Sequence, residues 1–119
     1  MSAAGTTPTP HVVATEVILP PAAQKQTGPV GQLESTSVLW KAADGRTAGV
    51  WECTPGTFPT KREGFDEICQ ILAGAATVEG ADGTVVEVSA GSLLVLPDGW
   101  AGTWTVTETV RKSYITIPT

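Results

Sequence analysis

Glycine and proline punctuate this chain at intervals too short for long helices and well suited to strands. Thirteen glycines and nine prolines are spread through 119 residues, and no long run is free of both. Such spacing favours many short strands joined by turns. Strands are expected at His11 to Leu19, Val38 to Lys41, Arg46 to Cys53, Glu67 to Glu79, Thr84 to Val88, Ser92 to Leu96, Gly102 to Thr107 and Val110 to Ile117. Asp82-Gly83, between two β-rich runs, is a hairpin turn signal. The expectation is an all-β fold, a small antiparallel β-barrel.

One segment reads two ways. Phe65, Ile68, Cys69 and Leu72 fit helical spacing, whereas Glu67, Cys69 and Ile71 against Ile68, Gln70 and Leu72 fit strand alternation. The strand reading is preferred because Gly74 cuts the run and Thr77-Val78 favours extended backbone.

The length fits one domain with one core, and 41% hydrophobic against 16% charged residues gives enough apolar material to fill it. Residues 1–10, rich in Thr, Pro and Ala, are expected to be a flexible arm, and residues 11–119 the single domain. The net charge is −5, and no basic cluster exceeds the pair Lys61 and Arg62, so nucleic acid is not expected as a partner. The amino-terminal stretch has no basic n-region and no apolar run of spanning length, so a cytoplasmic protein without membrane partners is the expectation. Cys53 and Cys69 are too few for a disulfide framework and lack C-x-x-C spacing.

The turn punctuation carries a further resemblance. Glu67 is followed after six residues by Gly74, and Gly91 after five residues by Pro97, Asp98 and Gly99. These offsets match the cupin blocks G-x5-H-x-H-x(3,4)-E-x6-G and G-x5-P-x-G-x2-H-x3-N. The chain therefore resembles the cupin superfamily, and the resemblance implies a double-stranded β-helix of jelly-roll type. The wording "GVWECTPGTF", "DEICQILAGAATV", "GSLLVLPDGWAGTWTV" and "ETVRKSYI" is similar to the sub-group of ureidoglycine aminohydrolases and an ethanolamine-utilisation protein, over roughly residues 35 to 117. In those aminohydrolases the chemistry rests on a manganese held by His, Glu and Gln residues.

The family's ligand positions are filled differently here. The two first-block histidine positions fall on Thr60 and Arg62, or on Lys61 and Glu63 with the shorter spacer. The second-block histidine position is Gly102 and the asparagine position Val106, which leaves Glu67 alone of four customary ligands. A metal needs several converging donors, so neither metal nor other cofactor is expected.

If Glu67 points inward, as the resemblance implies, Cys69 and Ile71 share the interior, and Ile68, Gln70 and Leu72 face outward. Apolar outward positions suggest sheet packing with a second copy, as in many cupins, so a homodimer is expected. The candidate catalytic residues are Glu67, Arg62 and Tyr114. Glu67 is either a general acid or base, its pKa raised by desolvation, or half of a buried ion pair with Arg62 or Lys61. A cation near a former ligand position suits a carboxylate or other anion.

The candidate ligand-binding residues are Lys61, Trp51, Cys53, Cys69, Trp100, Trp104 and Lys112. The tryptophans, with Trp40, either line an aromatic pocket or pack the core. Lys112 and Tyr114 share a face of the last strand as cation and donor. The cysteines are read as buried thiols, since no histidine outside the arm is placed to activate them. His11 lies beside the arm.

Three classes of function follow. The first is a metal-independent enzyme of isomerase, lyase or cyclase type acting on a small anionic or aromatic metabolite. The second is a non-catalytic binding or sensing module using the same pocket. The third is an atypical metalloenzyme recruiting Glu67 with Glu63, Asp66 or a cysteine. The fold does not decide among them.

Overall fold

A computed structural model of the chain describes residue 5 and residues 7–119. Of the arm expected over residues 1–10, residues 1–4 and 6 lie outside the described residues. Eight strands follow in order: β1 (Ala23–Gln24), β2 (Leu33–Lys41), β3 (Thr47–Cys53), β4 (Gly56–Lys61), β5 (Phe65–Gly80), β6 (Val85–Ser89), β7 (Leu93–Leu96) and β8 (Ala101–Pro118). All pairings are antiparallel.

The long strands β5 and β8 pair with each other from Phe65↔Pro118 to Gly80↔Gly102. Their outer edges change partners half-way. β5 takes β7 along Glu67–Gln70 and β6 along Ala75–Glu79. β8 takes β4 along Ala101–Val106 and β3 along Val110–Thr116. One leaf is thus β1-β2-β3-β8-β5-β7 and the other β4-β8-β5-β6. The register shifts between Ile71 and Ala76, where the two leaves meet. Bulges of this kind bend a strand sharply enough to serve both leaves of a sandwich. The fold is a jelly roll whose ladder stays open rather than closing into a continuous barrel.

Gly74 sits at this corner with φ +82°, and a Cβ there would run into Thr109 O of β8. Between the leaves lies one core, centred on Trp51, Cys53, Ile71, Leu96, Trp104 and Val110, with Tyr114 packed against it. Along the first half of β5, Glu67, Cys69 and Ile71 are buried and Gln70 is exposed, the alternation of a strand with one face on a core.

Four expectations need correction. His11 to Leu19 forms no strand. Its backbone turns at Val13, with the amides of Glu16 and Val17 both donating to Val13 O. Arg111 Nη1 then donates to Ala14 O at 3.1 Å and Val17 O at 2.9 Å, so a side chain satisfies carbonyls that a ladder would otherwise need. The two strands expected at Gly102 to Thr107 and Val110 to Ile117 are one continuous β8. β4 lies outside the expected strands; among the described residues it pairs with β8 alone, and Pro59 is tolerated where one edge is free. β1 is two residues long, too short to leave a periodic signal.

On the outer face of the first leaf, register aligns Trp40, Ala48, Ile115, Ile68 and Val95 in a single row across β2, β3, β8, β5 and β7. Ile115 is 47% exposed, Val95 55% and nearby Leu93 71%. Among the described residues, no helix is long and apolar enough to cross a membrane.

Candidate functional site

β4 places Phe58 and Thr60 on its inner face and turns Pro59 and Lys61 outward, by ordinary strand alternation. Arg62, just beyond its end, is buried again. β5 supplies Glu67 beside it, and β8 supplies Trp104, Lys112 and Tyr114. With Trp51 of β3, these side chains line a cavity of about 230 Å³.

Its floor is a charged triad. Glu67 is 6% exposed, Arg62 7% and Lys112 6%. Lys112 Nζ donates to Glu67 Oε2 at 2.6 Å, and Arg62 Nη2 stands 3.2 Å from Glu67 Oε1. Arg62 also donates to Thr60 Oγ1 at 2.8 Å, which fixes its guanidinium against β4. Burial is the strongest single influence on Glu67 and pushes its pKa up. The charges of Lys112 and Arg62, with hydrogen bonds from Lys112 and Cys69, outweigh it and leave the carboxyl below its ordinary value. Of the two readings of Glu67, an acid or base with a raised pKa or half of a buried ion pair, the structure has the ion pair, with Arg62 rather than Lys61 and with Lys112 in addition: desolvation acts, and two cations override it.

The walls are aromatic. Trp51 and Trp104 meet edge to face with centroids 6.0 Å apart, and Phe58 stacks on Trp104 at 6.4 Å. Lys112 Nζ lies 4.6 Å from the Trp51 ring centre and 4.9 Å from that of Trp104, so ring faces share in holding this buried ammonium. Tyr114 is half-buried in the same cavity, and desolvation together with the nearby Glu67 charge raises its pKa, which keeps the phenol protonated.

This geometry sits on a sequence that matches a known family model over residues 40–114, the description being EutQ-like cupin domain. The chain belongs to the EutQ-like cupin domain family. The EutQ protein of Clostridium difficile shares 26% identity, with 74% of this chain and 70% of that one covered and a TM-score of 0.64. A putative ethanolamine utilization protein from Salmonella typhimurium LT2 shares 22%, covering 72% and 70% of the two chains at a TM-score of 0.63. A DUF861 family protein from Thermotoga maritima reaches 34% identity over 55% of this chain and 73% of that one, at a TM-score of 0.52. No match is found among curated proteins.

The cupin fold raises the question of a metal, and the residues here do not fit one. Thr60, Arg62, Glu67 and Gly102 occupy the positions from which the family's blocks supply ligands. Both oxygens of Glu67 already serve cations, and a guanidinium and an ammonium flank the place a divalent ion would need. Among the described residues, no three His, Cys, Asp or Glu side chains gather as a ligand set.

Of the residues singled out in the sequence, Arg62, Glu67, Tyr114, Trp51, Trp104 and Lys112 come together in this cupin's cavity. Lys61 does not: its side chain is 66% exposed and pairs with Glu63 at 3.1 Å, because alternation on β4 sends it out. Trp100 lies outside the cavity in a separate recess with Val78 and Leu96, though its ring is 6.0 Å from the Arg62 guanidinium. Neither cysteine lines the cavity: Cys53 is fully buried in the core, and Cys69, buried and hydrogen-bonded to Glu67, borders a different recess. Desolvation pushes both thiols up to about 11, so neither is a thiolate near neutral pH. His11 is exposed.

Sequence reasoning missed Lys25. It follows β1, lies over the Phe58 ring with Nζ 4.2 Å from the centre, and pairs with Glu34 at 3.0 Å. Trp51 Nε1 donates to the same Glu34 oxygen at 3.0 Å. Phe58 also lines the cavity, from β4, a strand outside those expected.

Proposed function

We propose that this domain binds a small organic anion in the cavity floored by Arg62, Glu67 and Lys112. The observation that carries the reading is the charge of the floor: two buried cations share one carboxylate, leaving an uncompensated positive charge in a space walled by Trp51, Phe58 and Trp104. A buried charge without a partner is costly, and an anionic group on a small apolar body answers both the charge and the aromatic wall.

Binding is favoured over proton transfer by Glu67. A carboxylate held ionised by two cations, with its pKa lowered, is a weak base toward a carbon acid. Glu67 acts in this reading as the group that orients Arg62 and Lys112.

Lys112→Met tests the proposal without leaving a lone buried charge, since the Arg62–Glu67 pair remains. Titration with butyrate or benzoate, followed by tryptophan fluorescence and calorimetry, is expected to show saturable binding to the native protein. Lys112→Met should weaken it at least about tenfold, the scale of one charge-assisted contact. Equal affinity in the variant, or no binding by the native protein, overturns the reading.

The apolar row on the outer face supports a second copy as its occupant. A two-fold axis through Ile115 would set the row from Trp40 to Val95 against its own copy. Five strands span about 20 Å. Even with Leu93, that face covers less than the roughly 800 Å² per partner of a standard interface, so a dimer in exchange with monomer at micromolar concentration is expected. Sedimentation velocity should show that exchange, with Ile115→Lys monomeric throughout; a native protein that stays monomeric at every concentration rejects the dimer.

A further inference from the structure

We propose that the Lys25–Glu34 pair is a charge filter at the mouth of the cavity, which makes the site selective for monoanions over dianions; this rests on the reading of the cavity as an anion site.

Lys25 and Thr60 line both the inner cavity and an outer recess on the β4 side, so Lys25 stands where the two spaces join. Its position is built in rather than incidental. The loop behind it is closed by Lys25 N donating to Gln32 O at 2.8 Å and by Gln24 Nε2 donating to Pro29 O at 2.8 Å. Gln32, at the far end of that loop, is buried.

Alone, Lys25 would add a second free positive charge to that of the floor, and the site would suit a dianion. Glu34 cancels it. The carboxylate is held between Lys25 Nζ and Trp51 Nε1, both at 3.0 Å on Oε1, so it is anchored to two lining residues of the cavity. Three cations then face two carboxylates, an excess of one positive charge. A monoanion completes this balance. The second charge of a dianion would have to displace Glu34 from Lys25 or remain unpaired against aromatic walls, and either route costs affinity.

The prediction compares butyrate and succinate, of equal carbon number and differing by one charge at neutral pH. The native protein is expected to prefer butyrate. Glu34→Gln keeps an acceptor oxygen for Lys25 and Trp51 while removing the negative charge, and should shift the ratio of affinities toward succinate by about tenfold or more, the scale of one charge a few ångströms away in a partly screened site. Lys25→Gln should weaken both ligands and leave butyrate preferred. A ratio that Glu34→Gln leaves unchanged, with both anions still binding the native protein, overturns the filter alone. Failure of both anions to bind the native protein removes the anion site and the filter with it. Unfolding curves of both variants establish that the ratio is measured on folded protein.

Discussion

Glu67→Ala is expected to destabilise this protein by roughly 3–5 kcal/mol, the cost of stranding buried charges when their partner is removed. The variant leaves the Arg62 guanidinium and the Lys112 ammonium, 7% and 6% exposed, without their shared carboxylate at the floor of the cavity. Glu67→Gln should lose less, because its amide oxygen can still accept from one of them. Replacing the whole triad, with Arg62→Leu, Glu67→Leu and Lys112→Met together, should recover most of the loss while abolishing anion binding, since an apolar floor needs no compensation. Urea denaturation of the four proteins checks this ordering. A Glu67→Ala protein as stable as the native one would mean that the triad is not closed to solvent.

The same residue sets an acid limit. Its carboxyl titrates below the ordinary 4.5 in the folded state because Lys112 and Arg62 hold it ionised against the pull of burial. The unfolded chain therefore takes up the proton first as pH falls. The stabilisation is fully present above about pH 4.5 and is lost as pH drops through the lower folded value. Unfolding free energies measured from neutral to about pH 3 should decline more steeply in the native protein than in Glu67→Gln, whose position 67 has no proton to gain. Parallel profiles would show that other carboxylates dominate acid unfolding.

The sequence carried the frame of this site better than its charge. Alternation along Glu67 to Leu72 and the glycine at position 74 favour a strand for β5, but Ile68 and Leu72 make one face as apolar as Cys69 and Ile71 make the other, so it is the resemblance to the family, and not the period, that turns Glu67 inward. Which cation would meet Glu67 was not legible in the same way. Arg62 was weighed from its place in the motif, whereas Lys112 was paired in expectation with Tyr114 and reaches Glu67 only through the Ile71↔Lys112 and Cys69↔Tyr114 register of β5 with β8. Lys25 left no signal at all. It comes from a loop whose position is fixed by Gln24 and Gln32 hydrogen bonds rather than by any periodic pattern. β4 lies outside the expected strands, and whether a proline such as Pro59 permits a strand depends on whether both edges are paired, which is a property of the sheet.

Gly74→Ala is expected to cost at least about 4 kcal/mol, placing it among the severe single substitutions. Two independent reasons add. The backbone at Gly74 has φ +82°, where a side chain alone costs about 1–3 kcal/mol. The new Cβ would also overlap Thr109 O and lie 2.6 Å from Thr109 C and 2.8 Å from Glu108 O, and these are main-chain atoms of β8 that cannot rotate away. β5 and β8 bend together at this point, so relief of the clash requires prising apart the two strands that, among the described residues, are common to both leaves. Gly91 is the control: its φ is +95°, but nothing lies within 4 Å of a Cβ built there, so Gly91→Ala bears the conformational cost alone, about 1–2 kcal/mol. Denaturant titration of the two variants separates the contributions. If Gly74→Ala costs no more than Gly91→Ala, the strands can part at the corner, and the placement of Glu67 against Lys112 does not depend on that bend.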